Sequence, residues 1–368
     1  MATMISPELA VTDPQGPVVP LPKPKASGGS NLGRYIVTRL LLIIPTVFIL
    51  VTMVFMLMRL IGDPITAALG GRLSAEQLQE RIHAAGYDRP LIVQYLEYIG
   101  QVFTGNFGST ISDGRPVTEI LVTYGGATLE LAFYALLVAF VVGIPLGMVA
   151  AYFRDKLPDA FLRVTAILWY ATPVFFAALL FKLVFAVWLK WLPVAGRAST
   201  RTELDIQFLP NPTGFNLIDS FQTGNADNVA DVLSHAVLPG LALGLLTAGV
   251  FLRLVRTNVI GTLSAQYVDA ARSRGVSELR LVTRHAYKPA LIPIITVMGM
   301  QIALLLGGAV LTETVFEWKG LGFILVEYLS ARDYVAVQGI VMLLAVIVAV
   351  TNFVVDVIAA LIDPRVRY

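Results

Sequence analysis

The amino-acid sequence predicts an all-α integral membrane protein with six transmembrane helices and a long extracytoplasmic loop after the first. Three observations carry this expectation. Of 368 residues, 56% are hydrophobic and 14% charged, against about 25% charged in a soluble domain; mean hydropathy is +0.74. Six uncharged runs, at 40–58, 131–153, 164–181, 236–252, 289–312 and 334–355, each come near the roughly 20 residues an α-helix needs to cross hydrocarbon. The alternating strands of about 10 residues that mark a membrane barrel are not found. This composition excludes a soluble enzyme and a disordered scaffold. A net charge of +2 also argues against a nucleic-acid partner. With no cysteine, there is no disulfide, thiolate metal site or cysteine nucleophile.

Taken in order, residues 1–33 are rich in Pro, Gly and Ser and hold no apolar run. They read as a disordered cytosolic tail. The first span is too long for a cleavable signal and is expected to stay as an anchor. Residues 34–368 read as one six-helix unit in contact with membrane lipid. With the N-terminus inside, the inside segments carry Lys and Arg at about twice the density of the outside ones, which places both ends in the cytoplasm.

The loop at 59–130 is patterned. Ser74 and Gln77 have capping-box spacing and Gly86 supplies a stop, so a short helix is expected over 75–85. After Asp88-Arg89-Pro90, Leu91, Tyr95, Tyr98 and Val102 recur at helical spacing, a stripe suited to the membrane interface or the top of the bundle. A packed lid is the favoured reading over a binding site. The 182–235 loop shows no period and receives no assignment. Gly143 with Gly147, and Gly240 with Gly244, are small-residue pairs that pack helices. Pro145 and Pro173 are expected to kink theirs. Asp356 in the last span is expected to pair with a basic neighbour or with the cytoplasmic loop, and Lys182 to snorkel outward. His83, His235 and His285 are isolated, without metal-ligand spacing.

The cytoplasmic stretch 253–288 is the most informative. Tyr267-Val268-Asp269-Ala270-Ala271 precedes Arg272-Ser273-Arg274-Gly275, and Ser277 opens a second short helical segment. Two adjacent alanines leave a helix face with little bulk, which lets another surface approach its backbone. Gly275 is free to adopt the left-handed conformation that ends a helix. Such a helix–turn–helix suits docking into a groove on a partner.

Asp269-Ala270-Ala271, three residues, then Gly275 resembles the E-A-A-x-x-x-G loop of ABC importer permeases, with Asp for Glu. His285-Ala286, with Pro289 and Pro293 following, is similar to the dipeptide/oligopeptide branch. The resemblance runs from about Arg34 to Tyr368. It includes Gly62-Asp63-Pro64, Gly86-Tyr87-Asp88-Arg89-Pro90 and, less closely, Gly105-Asn106-Phe107-Gly108. Glu313-Thr314-Val315-Phe316 then Gly320-Leu321-Gly322, Arg332-Asp333-Tyr334 and Asp363-Pro364-Arg365 complete it. Together these resemble the B-type permease subunit of peptide importers.

The resemblance implies six helices of the ABC importer permease type and half of a transmembrane path working by alternating access. It makes Asp269, Ala270, Ala271, Arg274 and Gly275 the ATPase-coupling residues. It also implies a second permease subunit, ABC ATPase subunits that hold ATP and magnesium, and an extracytoplasmic substrate-binding protein. Glu313, Phe316, Gly320 and Gly322 are candidates for an outer gate or vestibule; Glu313 either touches substrate or fixes the turn after it. No G-x-x-x-x-G-K-[ST] occurs, so the chain itself is expected to hold no nucleotide or other cofactor and to be no enzyme. The alternatives are a stand-alone secondary transporter or channel, or the same importer type carrying nickel or oligosaccharides. A coupled transporter needs ionisable groups near the midplane, and the six runs contain none.

Overall fold

The computed structural model describes residues 32–362. Nearly all of the expected N-terminal tail, and the Asp363-Pro364-Arg365 motif, lie outside the described residues. The chain runs α1 (Leu32–Ile61), α2 (Pro64–Leu69), α3 (Ala75–Ala84), α4 (Leu91–Phe103), α5 (Val117–Tyr152), α6 (Leu157–Ala171) and α7 (Val174–Phe181), which continues into a π-helical stretch, Lys182–Trp188. Then come α8 (Thr200–Gln207), α9 (Asn216–Gln222), α10 (Ala226–Leu263), α11 (Gln266–Ser273) and α12 (Glu278–Arg280), followed by a second π-helical stretch, Leu281–Ala286. The chain closes with α13 (Tyr287–Phe316), α14 (Leu321–Ser330) and α15 (Tyr334–Ile362). Among the described residues, Ser109 and Pro116 form an isolated β-bridge.

Among the described residues, five helices are long and apolar enough to cross a membrane: α1, α5, α10, α13 and α15. A sixth span exists if α6 and α7 count as one, although they meet at a bend of 103°. The single helix expected over 164–181 is therefore corrected to a broken pair. Thr172 lies extended at φ −78°, ψ 125°, because the residue before a proline is pushed out of the helical region, and Pro173 brings no N–H to carry the ladder onward. Pro145, by contrast, sits inside the single element α5. Other helices overrun the uncharged runs. Helix α5 starts at Val117, well before 131, and α10 extends past 236–252 at both ends. An uncharged run ends at the first ion; a helix does not when that ion has a partner.

Helices α5 and α10 form the central pair. A Cβ on Gly143 or Gly147 would lie 2.7 Å from Ala248 O and 2.6 Å from Val255 Cβ, and one on Gly244 would lie 2.6 Å from Ala135 O. The two small-residue pairs thus let backbone meet backbone between these helices. Helix α13 packs on α10 and α15 on α13, with α1 outermost on α15; α6 and α7 cover another side of α10. Outward-facing Leu40, Leu41, Ile44 and Ile49 on α1 are exposed, a surface suited to lipid. Near its start, α1 supplies the basic neighbour for Asp356, Arg39 at 3.1 Å.

The segment between α1 and α5 follows its local signals. Ser74 and Gln77 form both capping-box bonds. Asp63 caps α2 through the Ile65 and Thr66 N–H groups at 2.9 Å, and Gly86 turns the chain at φ +73°. His83 hydrogen-bonds Asp88 at 2.5 Å, which holds that carboxyl below its usual range. On α4, Tyr95 and Tyr98 pack on Phe55 of α1, whereas Leu91 is exposed. Asp333, fully buried, accepts from the Ile111 and Ser112 N–H groups at 2.6 and 2.8 Å, tying the loop to the head of α15.

Candidate functional site: a docking turn and a clasp

The segment after α10 builds a small platform. Helix α11 buries Val268 completely and leaves Asp269, Ala270, Arg272 and Arg274 exposed, with Ala271 half-buried. Its end is a Schellman turn: Gly275 N–H donates to Arg272 O at 2.9 Å and Val276 N–H to Ala271 O at 3.3 Å. Gly275 stands at φ +81°, with nothing within 4 Å of the place a Cβ would occupy. Arg272 reaches Asp269 at 2.6 Å and Glu278 at 2.7 Å, bracing one side of the turn against the other. Glu278 raises the Arg272 pKa further above its ordinary value. Of the five coupling candidates, Asp269 is thus engaged within the platform, while the Ala270 face is open.

What lies behind the platform determines what a push on it would move. Val282 and Ala286 of the second π-helical stretch pack with Phe251, Val255 and Val259 of α10 and with Ala139 and Ala151 of α5. Leu281 is fully buried beside them. Close by, Arg256 of α10 grips the buried Asp159 of α6 through Nε at 2.5 Å and Nη2 at 2.7 Å, a bidentate pair of the strong kind. The platform therefore leans on α5, α10 and α13 together. Sequence reasoning missed the Asp159–Arg256 pair. Its signal was a lone acid in Leu157-Pro158-Asp159-Ala160-Phe161, with no indication of which cation would meet it.

A second cluster lies where α13 turns into α14. Glu313 and Phe316 are almost entirely buried. Glu313 accepts from Thr128 Oγ1 at 2.7 Å and from the Phe323 N–H at 2.9 Å. Thr128 Oγ1 in turn accepts from the Leu321 N–H at 2.8 Å, and Trp318 Nε1 donates to Ala127 O at 2.9 Å. A Cβ on Gly320 would fall 2.6 Å from both Glu313 and Thr128, and one on Gly322 would fall 2.6 Å from Val310 Cα. Glu313, Gly320 and Gly322 thus meet in one clasp that seats the 317–323 turn on α5. Phe316 points elsewhere, into a cluster with Ala178, Ala186, Leu238 and Ala242. Lys182 does not snorkel outward; its Nζ donates to Val315 O at 2.7 Å, because last-turn carbonyls of a helix have no partner within it.

The clasp continues into the 182–235 segment. Glu130 of α5, 4% exposed, accepts from Arg197 Nη2 at 2.6 Å and from the Leu217 N–H at 2.7 Å. The Arg197 guanidinium also stands 5.7 Å over the Trp318 ring. Sequence reasoning placed neither residue, since Glu130 stops one residue short of an uncharged run. Between α6 and α10 lies a cavity of about 420 Å³ whose lining includes Arg163, Arg253 and Arg256, and between α6, α7, α10 and α13 a smaller one of about 160 Å³; the two share Tyr170 and Val250. Buried Thr247 and Gln301 supply polar groups to the smaller one.

Comparisons with known proteins show the family. The family model described as "Binding-protein-dependent transport system inner membrane component" matches residues 143–368, and a second, for the N-terminal part of such membrane components, matches 32–116. The chain is 39% identical over 337 residues to the di/tripeptide transport system permease protein DppB of Pseudomonas aeruginosa, covering 91% of this chain and 98% of that one. It is 36% identical over 338 residues to the dipeptide transport system permease protein DppB of Escherichia coli, at 91% and 99% coverage. It is 34% identical over 336 residues to the glutathione transport system permease protein GsiC of Salmonella paratyphi A, again at 91% and 99%. Among solved structures, the inward-facing methionine ABC transporter MetNI aligns at TM-score 0.49 and 16% identity over 66% of this chain and 96% of that one. The chain belongs to the binding-protein-dependent transport system inner membrane components, the permeases of ABC importers.

Proposed function

We propose that this permease carries peptides, in the cytoplasmic membrane with both ends inside, as one of two permease subunits driven by separate ABC ATPases. The observation that carries this reading is the platform: an exposed α11 with a bare Ala270 face, ended by a left-handed glycine and backed by buried contacts to α5 and α10. Peptide as cargo is supported by relatives whose names specify dipeptide, di/tripeptide and glutathione transport.

In this mechanism ATP and magnesium bind on the ATPase subunits, and closure of those subunits displaces α11. The displacement passes through Val282 and Ala286 to α10 and α5, whose glycine seams let the helices shift as packed units. The path then opens alternately outward and inward. An extracytoplasmic binding protein delivers the peptide at the end where the 59–130 loop lies. Glu313, Gly320 and Gly322 act there by holding the outer turn of α13 closed against Thr128, as a latch on the outer gate.

Reconstitution tests this reading. The chain with its ATPases, second permease and binding protein should import labelled dipeptide into ATP-loaded vesicles of matching orientation. Flux by the chain alone, or import of sugars or nickel in place of peptide, would refute it.

A further inference from the structure

Among the described residues, four side chains hold a buried polar atom without any partner: Arg59 Nε, Gln94 Oε1, Arg197 Nε and Gln338 Nε2. Three of the four line one cavity of about 280 Å³, between the end of α1, the α3–α4 turn, the 105–111 loop and the head of α15. Buried polar groups normally find partners, so three orphans on one wall set call for an occupant.

Each orphan has a defined chemistry. Arg59 is held between aromatic rings, its Cζ 4.5 Å from the Tyr87 centroid and 5.1 Å from that of Phe55. Among the described residues no carboxylate pairs with it. Glu97, on the same cavity wall, is committed to Arg89 at 2.5 Å, Asp63 to the cap of α2, and Asp333 to Ile111 and Ser112. Burial pushes the Tyr87 phenol above its usual range although its hydroxyl meets the Arg59 guanidinium, so that ring stays neutral and supplies no counter-charge. Gln94 cannot turn its amide to escape: Nε2 already donates to Tyr87 O at 2.9 Å and Arg89 O at 2.7 Å, which fixes Oε1 as a lone acceptor. Gln338, on α15, turns its N–H pair toward the Tyr98 hydroxyl without closing a full hydrogen bond. The set is two donors, one of them cationic, and one acceptor, beside Tyr98 and Phe107.

We propose that this cavity binds a small zwitterion, whose oxyanion accepts from Arg59 and Gln338 and whose ammonium donates to Gln94. A free amino acid or dipeptide carries this chemistry, and so does a phosphatidylethanolamine headgroup. The site lies away from the α6–α10–α13 cavities and is independent of the peptide-import reading. It is tested by binding, without ATPase or flux, so either proposal can fail alone.

The full-length chain in phosphatidylcholine nanodiscs is titrated with L-alanyl-L-alanine by calorimetry, beside N-acetyl-L-alanine and L-alaninamide, which each lack one charge. In parallel, native mass spectrometry follows retention of phosphatidylethanolamine from mixed-lipid membranes. Saturable binding of the dipeptide, weakened about tenfold or more in each one-charge analogue, or selective retention of the lipid, supports the site and identifies the source. Arg59→Met and Gln338→Leu should each weaken whichever probe binds by about tenfold, the worth of one hydrogen bond to a charged group. Gln338→Leu removes no charge and keeps the helix, so it decides the matter even if Arg59→Met fails to fold. If neither probe binds the wild-type chain, or binding is unchanged in Gln338→Leu, the cavity holds only water and the proposal falls.

Discussion

Substitutions at Gly275 separate backbone strain from bulk more cleanly than at any other position in the coupling platform. The residue stands at φ +81° and nothing lies within 4 Å of the place a Cβ would take. Gly275→Ala therefore adds no clash, and its whole effect is the left-handed penalty of an L-residue, about 1–2 kcal/mol. Gly275→Val is worse, because a β-branched residue at positive φ is a genuine outlier, whereas Asn visits this region routinely. A loss of about 1–2 kcal/mol shifts the population of the turn about 5- to 30-fold and releases the bonds from Gly275 to Arg272 and from Val276 to Ala271. The transmembrane contacts are untouched, so expression and detergent melting should stay near wild type. In the reconstituted complex, substrate-stimulated ATPase activity and ATPase co-purification should fall in the order Asn, Ala, Val. Ala270→Trp should give the same loss by bulk on the open face. Equal activity across the glycine series, or an Asn variant as impaired as Val, would refute a role for the left-handed turn.

Arg256→Met strips the buried Asp159 of its bidentate partner, leaving the Asp155 N–H at 3.0 Å and Arg163 at 3.7 Å, and should destabilise the chain by about 3 kcal/mol; Asp159→Leu with Arg256→Met should recover most of that in detergent melts, and additive losses would count against the pair. Gly147→Val and Gly244→Val force side chains into gaps already at 2.6 Å and should cost about 1–3 kcal/mol or prevent folding. Gly261→Val, with open space around it, should leave the yield of monodisperse protein unchanged, and equal losses at all three would argue against close packing as the cause. Glu313→Ala strands Thr128 Oγ1 and the Phe323 N–H at about 1–3 kcal/mol, so amide exchange over 317–323 should rise with little change in α10; uniform exchange would show the clasp to be incidental.

Much of the fold was legible because its causes are local. Capping at Ser74–Gln77, the stop at Gly86 and the turn at Gly275 depend on residues within one helical turn of each other, and all three formed as read. The glycine pairs were legible as packing surfaces, since small residues four apart serve little else inside apolar helices. The break at Pro173 was legible as a kink, but not as the 103° turn it makes. Its angle depends on what α6 and α7 each pack against.

The sequence by itself determined the solvent of this protein, the number of spans within one ambiguous pair, and the short helix that ends on a left-handed glycine. Hydrophobicity, helix ends and left-handed glycines are properties of short stretches of chain. Only the tertiary structure decided which distant charges meet. Glu130 with Arg197, Asp159 with Arg256, Arg39 with Asp356 and Lys182 with the Val315 carbonyl each join residues that no spacing connects. The same holds for the three orphaned atoms around Arg59, which come from α1, α4 and α15. An ion is read from sequence as an interruption of an apolar run. It becomes part of a buried site only when folding brings its counter-charge within hydrogen-bond reach, because only the pair, and not the single ion, withstands removal from water.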